Sequence, residues 1–301
     1  MKSNYHTPVL PDEVIENLDI KPAGIYVDCT FGGGGHSGLI LQKLNAEGKL
    51  IAFDQDADAK QNLSDDRRIV FVPANFRHLQ RFLRLNGFDK VDGILADLGV
   101  SSHQFDKAER GFSTRFDASL DMRMDRRQEK TAMDVLSIYS EQELHKMFEQ
   151  FGEVTNAKTL ARTIVEARRT TLINSIDVLK NVLGPIVKGN PNRYFAQVFQ
   201  ALRIEVNDEI GALKEMLEQA PMVLKKGGRI AVITFHSIED RIVKIFFRDN
   251  DFNVPEENPF ATIEKMTTLK LVNKKPIIAK PEEIKKNPRA RSAKLRVAEK
   301  I

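Results

Sequence analysis

Ile25-Tyr26-Val27-Asp28-Cys29-Thr30-Phe31-Gly32-Gly33-Gly34-Gly35-His36-Ser37-Gly38 joins a short β-prone run to four consecutive glycines and then to a helix-compatible segment. A strand that breaks into glycine and continues as a helix opens many nucleotide-binding α/β sheets. The glycines remove every Cβ from the turn, so backbone N–H groups can face a ligand closely, and the following helix offers its positive N-terminal end. That geometry favours an anionic group, either a phosphate or an amino-acid carboxylate. Gly33-x-Gly35-x-x-Gly38 also fits the dinucleotide fingerprint, but a run of glycines meets that spacing almost automatically.

Outward from this turn, strand and helix signals alternate. Ile25–Thr30, Lys49–Asp54, Ile69–Val72 and Val91–Asp97 read as strands, and Ser37–Leu44, Ala57–Leu63 and Phe76–Asn86 as helices between them. Such alternation predicts βαβ units, a mainly parallel sheet and right-handed crossovers. After Asp97 the pattern stops, and the next convincing strand, Arg229–Phe235, begins about 130 residues later, although a βα unit needs only ~30 residues. The surplus reads as helical. Ser140 and Glu143 form a capping box ahead of Leu144, Met147, Phe148 and Phe151. Ala157 to Val165 make a second amphipathic face, and Ser175 caps a third helix. One long helix follows, with a stripe from Phe195 to Leu217, and ends near Pro221. The economical arrangement is an α/β domain of residues 1–109 and 204–301, interrupted by a helical domain of residues 110–203. Met266–Val272 and Ala293–Ala298 alternate as a closing antiparallel pair.

The chain has 301 residues, 42% hydrophobic and 29% charged, inside the ordinary globular range. No segment approaches the ~18 apolar residues of a membrane span, and Met1-Lys2-Ser3-Asn4-Tyr5-His6 lacks the apolar stretch of a signal peptide, so a cytoplasmic location is expected. The single cysteine, Cys29, excludes an intramolecular disulfide and a Cys-rich zinc site, and no metal is expected. The net charge is +4, but residues 274–301 hold 10 Lys/Arg against 3 Asp/Glu, which leaves −3 on the preceding residues. The positive charge is therefore a C-terminal strip on a nearly neutral body.

Three acids stand at strand ends. Asp54 closes the second strand 22 residues after Gly32, where an acid in this fold accepts hydrogen bonds from ribose hydroxyls. NAD and S-adenosylmethionine both carry such a ribose. Asp28, immediately before the loop, suits an ammonium or an ordered water near a methionine moiety and sits poorly beside a pyrophosphate; the alternative is a strand-end residue bonded to the loop's own amides. Asp97 ends the fourth strand, so all three converge on the crevice beyond the carboxyl ends of a parallel sheet.

The motifs as a set are similar to the bacterial small-subunit rRNA cytosine-N4 methyltransferases (the RsmH, or MraW, family). The resemblance is carried by His6-Thr7-Pro8-Val9-Leu10, Asp28 to Ser37, Asp97-Leu98-Gly99-Val100-Ser101-Ser102 and Glu109-Arg110-Gly111-Phe112-Ser113. Leu120-Asp121-Met122-Arg123-Met124-Asp125, Phe235-His236-Ser237-Ile238-Glu239-Asp240-Arg241 and Asn287-Pro288-Arg289-Ala290-Arg291-Ser292 complete it, over nearly the whole length. His103 stands where the family usually has proline, and Thr234 where serine is common.

The resemblance implies a class I S-adenosylmethionine-dependent methyltransferase, a Rossmann-like α/β sheet with an inserted all-helical, substrate-recognition domain. It implies S-adenosyl-L-methionine as cofactor, held by Gly34, Gly35, His36, Asp54, Phe76, Asp97 and Gln104, and transfer of its methyl to N4 of a decoding-centre cytidine in 16S rRNA. Phe76, just past the third strand, can stack on a purine. Asp97 and His236 are the candidates for catalysis. If Asp97 serves the cofactor, the acceptor for the amine must be a carbonyl of Leu98 to Ser101, the Ser101 hydroxyl, or a group of Phe235-His236-Ser237. The base must leave its stack to enter the crevice, and Arg123, Arg126, Arg168, Arg169, Lys286, Arg289 and Arg291 are the candidates to hold the surrounding phosphates. The expected partner is 16S rRNA within a small ribosomal subunit or its precursor, and the expected state a monomer or weak homodimer. A nicotinamide-dependent dehydrogenase and a non-catalytic ribosome-assembly factor are the competing readings.

Overall fold

The computed structural model describes residues 8–252 and 267–301. Packing divides the chain into two units, Met1–Gly99 with Gly211–Ile301, and Val100–Ile210. The first is built on one sheet, with strands β1 (Ile25–Asp28), β2 (Lys49–Phe53), β3 (Ile69–Val72), β4 (Val91–Asp97), β5 (Leu224–Thr234), β6 (Leu269–Leu271), β7 (Ile277–Ile278) and β8 (Lys294–Lys300). Their spatial order is β3-β2-β1-β4-β5-β8-β6, and β7 pairs with β8. β1 to β5 pair in parallel, and β8 is antiparallel to β5, β6 and β7.

Both faces of the sheet are covered, which is why the central strands are apolar runs rather than alternations. Val27, Ile51, Ile94, Ile230 and Val232 pack into one core, whereas Tyr26, Leu50, Leu95, Ala231 and Ile233 pack into another. Neighbouring residues thus enter opposite layers, as the two-residue period of a strand requires, and each fully buried Leu or Ile contributes ~1.5–3 kcal/mol. The chain moves outward from β1 to β3 and then restarts on the other side of β1 with β4, so the switch point lies between β1 and β4. Parallel sheets bind ligands at the carboxyl ends of such a pair.

The expected strands appear within a few residues of their predicted bounds. Two of the predicted helices are tighter: Ala57–Asn62 is a 3-10 turn capped by Asp56, and Phe76–His78 is a 3-10 turn leading into the helix Leu79–Leu85. The closing pair forms between β6 and β8, with β8 also filling the space beside β5. Met266, where the sequence reading begins that pair, lies outside the described residues, as do His6 and Thr7.

The second unit is helical: Ser102–Asp106, Ala132–Ile138, Glu141–Gly152, Ala157–Ala167, Ile176–Leu183 and Pro191–Asn207. The Ser140 and Ser175 caps form as read, with Glu143 closing its box. Leu144, Phe148, Leu160, Ile164, Leu179 and Val198 share one core. The long helix is in fact two, Pro191–Asn207 and Glu209–Val223, broken at Asp208 with φ 46°. The apolar stripe continues across the joint, so periodicity could not show it, and a single Asp tolerates the left-handed conformation. Asn207 beside the break donates to the Met122 carbonyl (2.8 Å) and accepts from the Met124 N–H (2.7 Å). The unit boundaries fall at 99/100 and 210/211 rather than 109/110 and 203/204. Val100 and Phe105 pack with the helical core, which places the segment after β4 in that unit. Among the described residues no helix is long and apolar enough to cross a membrane.

Candidate functional site

At the carboxyl end of β1 the glycine loop turns with Gly32 at φ 50° and Gly34 at φ 74°, and Gly34 is the N-cap of the helix Gly35–Lys43. A Cβ on Gly34 would stand 3.1 Å from the Phe31 ring in a conformation L residues rarely adopt. Asp28 is 1% exposed and accepts from the Thr30 N–H (3.0 Å) and the Ser37 hydroxyl (2.7 Å). Its oxygens therefore brace the loop, which decides between the two sequence readings in favour of the loop's own groups. Burial raises its carboxyl above the usual range, with the Ser37 bond opposing.

Asp54 follows β2 directly. One oxygen accepts from the Gly32 N–H (2.7 Å) and the other from the Asp56 N–H (2.8 Å), so it is locked in place with further lone pairs available for hydroxyl donors. Burial pushes its carboxyl up to about 6 against those two bonds. The Asn62 side chain donates to the Gly32 carbonyl (2.9 Å) and closes the loop from the far side.

His36 is buried, not solvent-facing, with Nε2 donating to the Val9 carbonyl (2.8 Å). A carbonyl only accepts, so Nε2 carries the hydrogen and Nδ1 is left facing Asp97 Oδ2 at 3.5 Å. The Asp97 N–H donates to Thr30 Oγ1 (2.7 Å), tying the ends of β1 and β4 together. Asp97 Oδ1 is buried and has no hydrogen-bond partner among the described residues. Burial pushes this carboxyl up to about 6; His36 lowers it, and the neighbouring Asp28 and Glu239 raise it. An orphaned buried acceptor beside a glycine cradle is what a donor-bearing or cationic ligand would complete.

His236 is the N-cap of the helix Ser237–Asp249. Its Nδ1 accepts from the Glu239 N–H (3.4 Å), and Nε2 stands 3.2 Å from Glu239 Oε1. Nδ1 is thus spent in the cap. Glu239, 2% exposed, also accepts from the Phe235 N–H (2.9 Å). The sequence reading missed Glu239 and Thr30; both lie within the quoted motifs, but their roles depend on contacts between strand ends. Phe76 opens the turn after β3, half-buried against the sheet core. Gln104 belongs to the helical unit, where its side chain accepts from the Ser101 N–H (3.1 Å) in a capping box. The Ser101 hydroxyl accepts from the Gln104 N–H in the same box.

The basic candidates divide. Arg123 forks onto Asp121 (2.7 and 3.0 Å), and Arg168 donates to the Leu136 and Tyr139 carbonyls (2.8 and 2.7 Å), so both also hold the helical unit together. Arg126, Arg169, Lys286 and Arg291 are exposed, and Arg289 is half-buried. The C-terminal strip is less uncompensated than its composition implies, because Asp240 pairs with Lys294 (3.1 Å) and with the buried Arg296 (2.7 Å).

Asp28, Asp54, Asp97 and Glu239 thus bring four carboxyl groups, with His36 and His236, to strand ends of one sheet. A unit cation ~5 Å from a carboxylate gains about 3 kcal/mol at an effective dielectric of ~20, and an anion loses as much. The crevice favours a sulfonium and an ammonium over a pyrophosphate, and the glycine turn with its helix N-terminus remains for a carboxylate. Gly34, Asp54 and Asp97 fit S-adenosylmethionine on these grounds.

Residues 3–301 match the MraW methylase family. The ribosomal RNA small subunit methyltransferase H of Flavobacterium johnsoniae is 53% identical over 306 residues, covering 99% of this chain and 98% of that protein. The protein of the same name from Parabacteroides distasonis is 51% identical over 302 residues, with 99% and 98% covered. Among solved structures, TrmN from Thermus thermophilus is 14% identical, with a TM-score of 0.44 over 97% of this chain and 48% of that one. A putative methyltransferase from Streptococcus mutans, SMU.1697c in complex with SAH, is 11% identical, with a TM-score of 0.41 over 97% and 98%. The chain belongs to the MraW methylase family and is an S-adenosylmethionine-dependent methyltransferase.

Proposed function

We propose that this enzyme methylates the exocyclic N4 amine of a decoding-centre cytidine in 16S rRNA, in the cytoplasm, on a small ribosomal subunit or its precursor. Small-subunit rRNA is the substrate class named for relatives at about half identity over essentially the full chain. The observation that carries the chemistry is Asp97 at the end of β4, whose Oδ1 is buried and lacks a hydrogen-bond partner among the described residues.

When bound, S-adenosylmethionine supplies an electrophilic methyl on a sulfonium. Asp54 would hold the ribose hydroxyls, the loop at Gly34 and Gly35 the carboxylate end, and Phe76 the adenine, while His36 orients Asp97; Gln104 is the one cofactor candidate that the helical unit carries. Cytosine N4 is a weak nucleophile because its lone pair is delocalised into the ring, so an acceptor that draws its hydrogens out of plane restores nucleophilicity. Asp97 would serve the cofactor through the charge of its carboxylate alone, which leaves Oδ1 as such an acceptor, and with a carboxyl near 6 it can take the proton shed as the new N–C bond forms and the S–C bond breaks. The remaining rate enhancement comes from positioning. His236 contributes by holding the Phe235–Glu239 turn, since its Nδ1 already accepts a backbone hydrogen bond. Arg126, Arg169, Lys286, Arg289 and Arg291 would contact phosphates, and Arg123 and Arg168 would brace the helical unit that carries the first two.

The test is mass spectrometry of rRNA nucleosides from cells lacking the protein. Loss of N4-methylated cytidine, restored by wild type and not by Asp97→Ala, is expected. An unchanged N4-methylcytidine content would overturn the substrate assignment.

A further inference from the structure

Apart from the C-terminal strip and the helical insert, Arg67 to Phe88 is a run of 22 residues with five arginines and no acid. Arg81 and Arg84 within it stand i, i+3 on the helix Leu79–Leu85, and Arg77, on the 3-10 turn before that helix, lines the same hollow, so the three form one stripe. Like charges at helical spacing destabilise a helix, so the stripe costs stability unless a counter-charge meets it. Among the described residues only its first member is answered: Arg77 forks onto Glu215 (2.6 and 3.0 Å). Arg81 and Arg84 are exposed and make no ion pair among the described residues; Arg81 lies over the Phe82 ring at 5.9 Å.

The segment bearing the stripe is clamped. The Gln219 side chain donates to the Arg77 carbonyl (2.7 Å) and accepts from the Gln80 N–H (2.9 Å). Beside it lies an open hollow of about 590 Å³ lined by Arg77, His78, Gln80, Arg81, Arg84 and Gln219, with Leu85, 68% exposed, at its edge and no carboxylate in the lining. Arg81 and Arg84 stand about 4.5 Å apart along the axis of the helix Leu79–Leu85, close enough for their long side chains to reach neighbouring phosphates of one strand. The stripe begins one residue after Phe76, at the carboxyl edge of the sheet where the crevice opens.

We propose that the Arg77/Arg81/Arg84 face of the methyltransferase unit is a docking surface for the phosphate backbone of the RNA substrate, separate from the basic residues of the helical unit and the C-terminal strip. This rests on the RNA-methylating function proposed above. Arg81 and Arg84 bind phosphates directly, and Arg77 sets the face in place through Glu215.

The test compares wild type with Arg81→Gln/Arg84→Gln and with Arg81→Lys/Arg84→Lys, using protein-free small-subunit rRNA and assembled subunits lacking the modification. The Gln pair should raise KM for the protein-free RNA about tenfold, leave kcat within twofold and S-adenosylmethionine affinity unchanged, and reduce the slope of log K against log salt by about 1.4 for two single-strand contacts. The Lys pair should retain most of the affinity. An exposed control, Lys43→Ala/Lys244→Ala, should move neither value. Wild-type affinity and slope in the Gln pair on protein-free RNA would overturn the proposal. A defect confined to assembled subunits would overturn it too, pointing to an acidic protein instead. Failure of wild type to methylate RNA at all would instead strike the function on which the proposal rests.

Discussion

Replacing Asp97 with Asn should stabilise the ligand-free methyltransferase unit in a pH-dependent manner while impairing catalysis. Burial raises this carboxyl from 3.8 to about 6, and a tenfold change in acidity corresponds to about 1.36 kcal/mol, so its ionisation costs the fold about 3 kcal/mol. Below about pH 3.8 the folded and unfolded states both hold the proton and no cost arises. Between about 3.8 and 6 only the folded state retains it, so stability falls as pH rises, and above about 6 the full cost is present. Wild type should thus lose about 2 kcal/mol between pH 4.5 and pH 8 from this group, and Asp97→Asn should not. The Asn amide adds its own cost wherever its hydrogens lack partners, of order 1–3 kcal/mol, but that offset is the same at every pH. The assay is urea denaturation of both proteins without cofactor, followed by far-UV circular dichroism, with hydrogen exchange of the β4 amides to isolate this unit. The stability difference, variant minus wild type, should grow by about 2 kcal/mol from pH 4.5 to pH 8. A difference that stays flat would refute the claim that this carboxylate is ionised at a cost.

The proposed cofactor carboxyls, Asp54 and Asp97, should set the pH profile of cofactor binding. Asp54 and Asp97 both sit at about 6, so affinity by titration calorimetry should be level above pH 7 and weaken about tenfold per group by pH 5; unchanged affinity at pH 5 would argue against either as an ionic contact. Asp54→Ala should abolish measurable binding while the far-UV spectrum stays native, and binding at wild-type strength would remove it from the site. His236→Asn should preserve the helix cap and most of the rate, whereas His236→Ala should lose roughly 0.5–2 kcal/mol of stability. A rate lost equally in both would make the imidazole itself part of the chemistry. Asn207→Ala removes the latch on Met122 and Met124 and should destabilise the helical unit by about 2–4 kcal/mol, read by exchange of the Ala132–Ile138 amides.

The sheet was legible because strand runs, glycines and strand-end acids are local signals. Asp28, Asp54 and Asp97 could be placed at the same edge before any contact was known, since parallel connectivity alone sends the ends of β1, β2 and β4 to one side. What each acid does there was not legible. Asp28 is consumed by Thr30 and Ser37, Asp54 by two loop amides, and Asp97 by almost nothing. These differences depend on which donors the folded loop turns toward each oxygen. His36 likewise reads as an exposed helix-start residue until Val9, 27 positions away, supplies the carbonyl that draws it inward. The break at Asp208 escaped because one left-handed residue leaves the apolar stripe in phase across the joint. The arginine stripe escaped because net charge by region dilutes it, and only its exposure separates it from a row of buried stems.

Charge at the strand ends joins these observations. Carboxylate oxygens buried without donors are among the costliest groups in a protein interior, and Asp97, 21% exposed but with Oδ1 buried, stands near two other acids, Asp28 and Glu239, with one histidine as relief. A fold selected for stability alone would neutralise that edge. Retaining it is consistent with a positively charged occupant that recovers the cost on binding, and the helix N-terminus and bare glycines across the loop meet the negative end of the same molecule. A zwitterionic sulfonium satisfies both requirements, and an NAD pyrophosphate, set against four carboxyl groups, satisfies only one. On the proposed assignment the cofactor is selected by the sign of its charges as well as by the shape of its ribose, so Asp97→Lys should lower S-adenosylmethionine affinity by titration calorimetry more than Phe76→Ala, and an equal or smaller loss in Asp97→Lys would refute selection by charge.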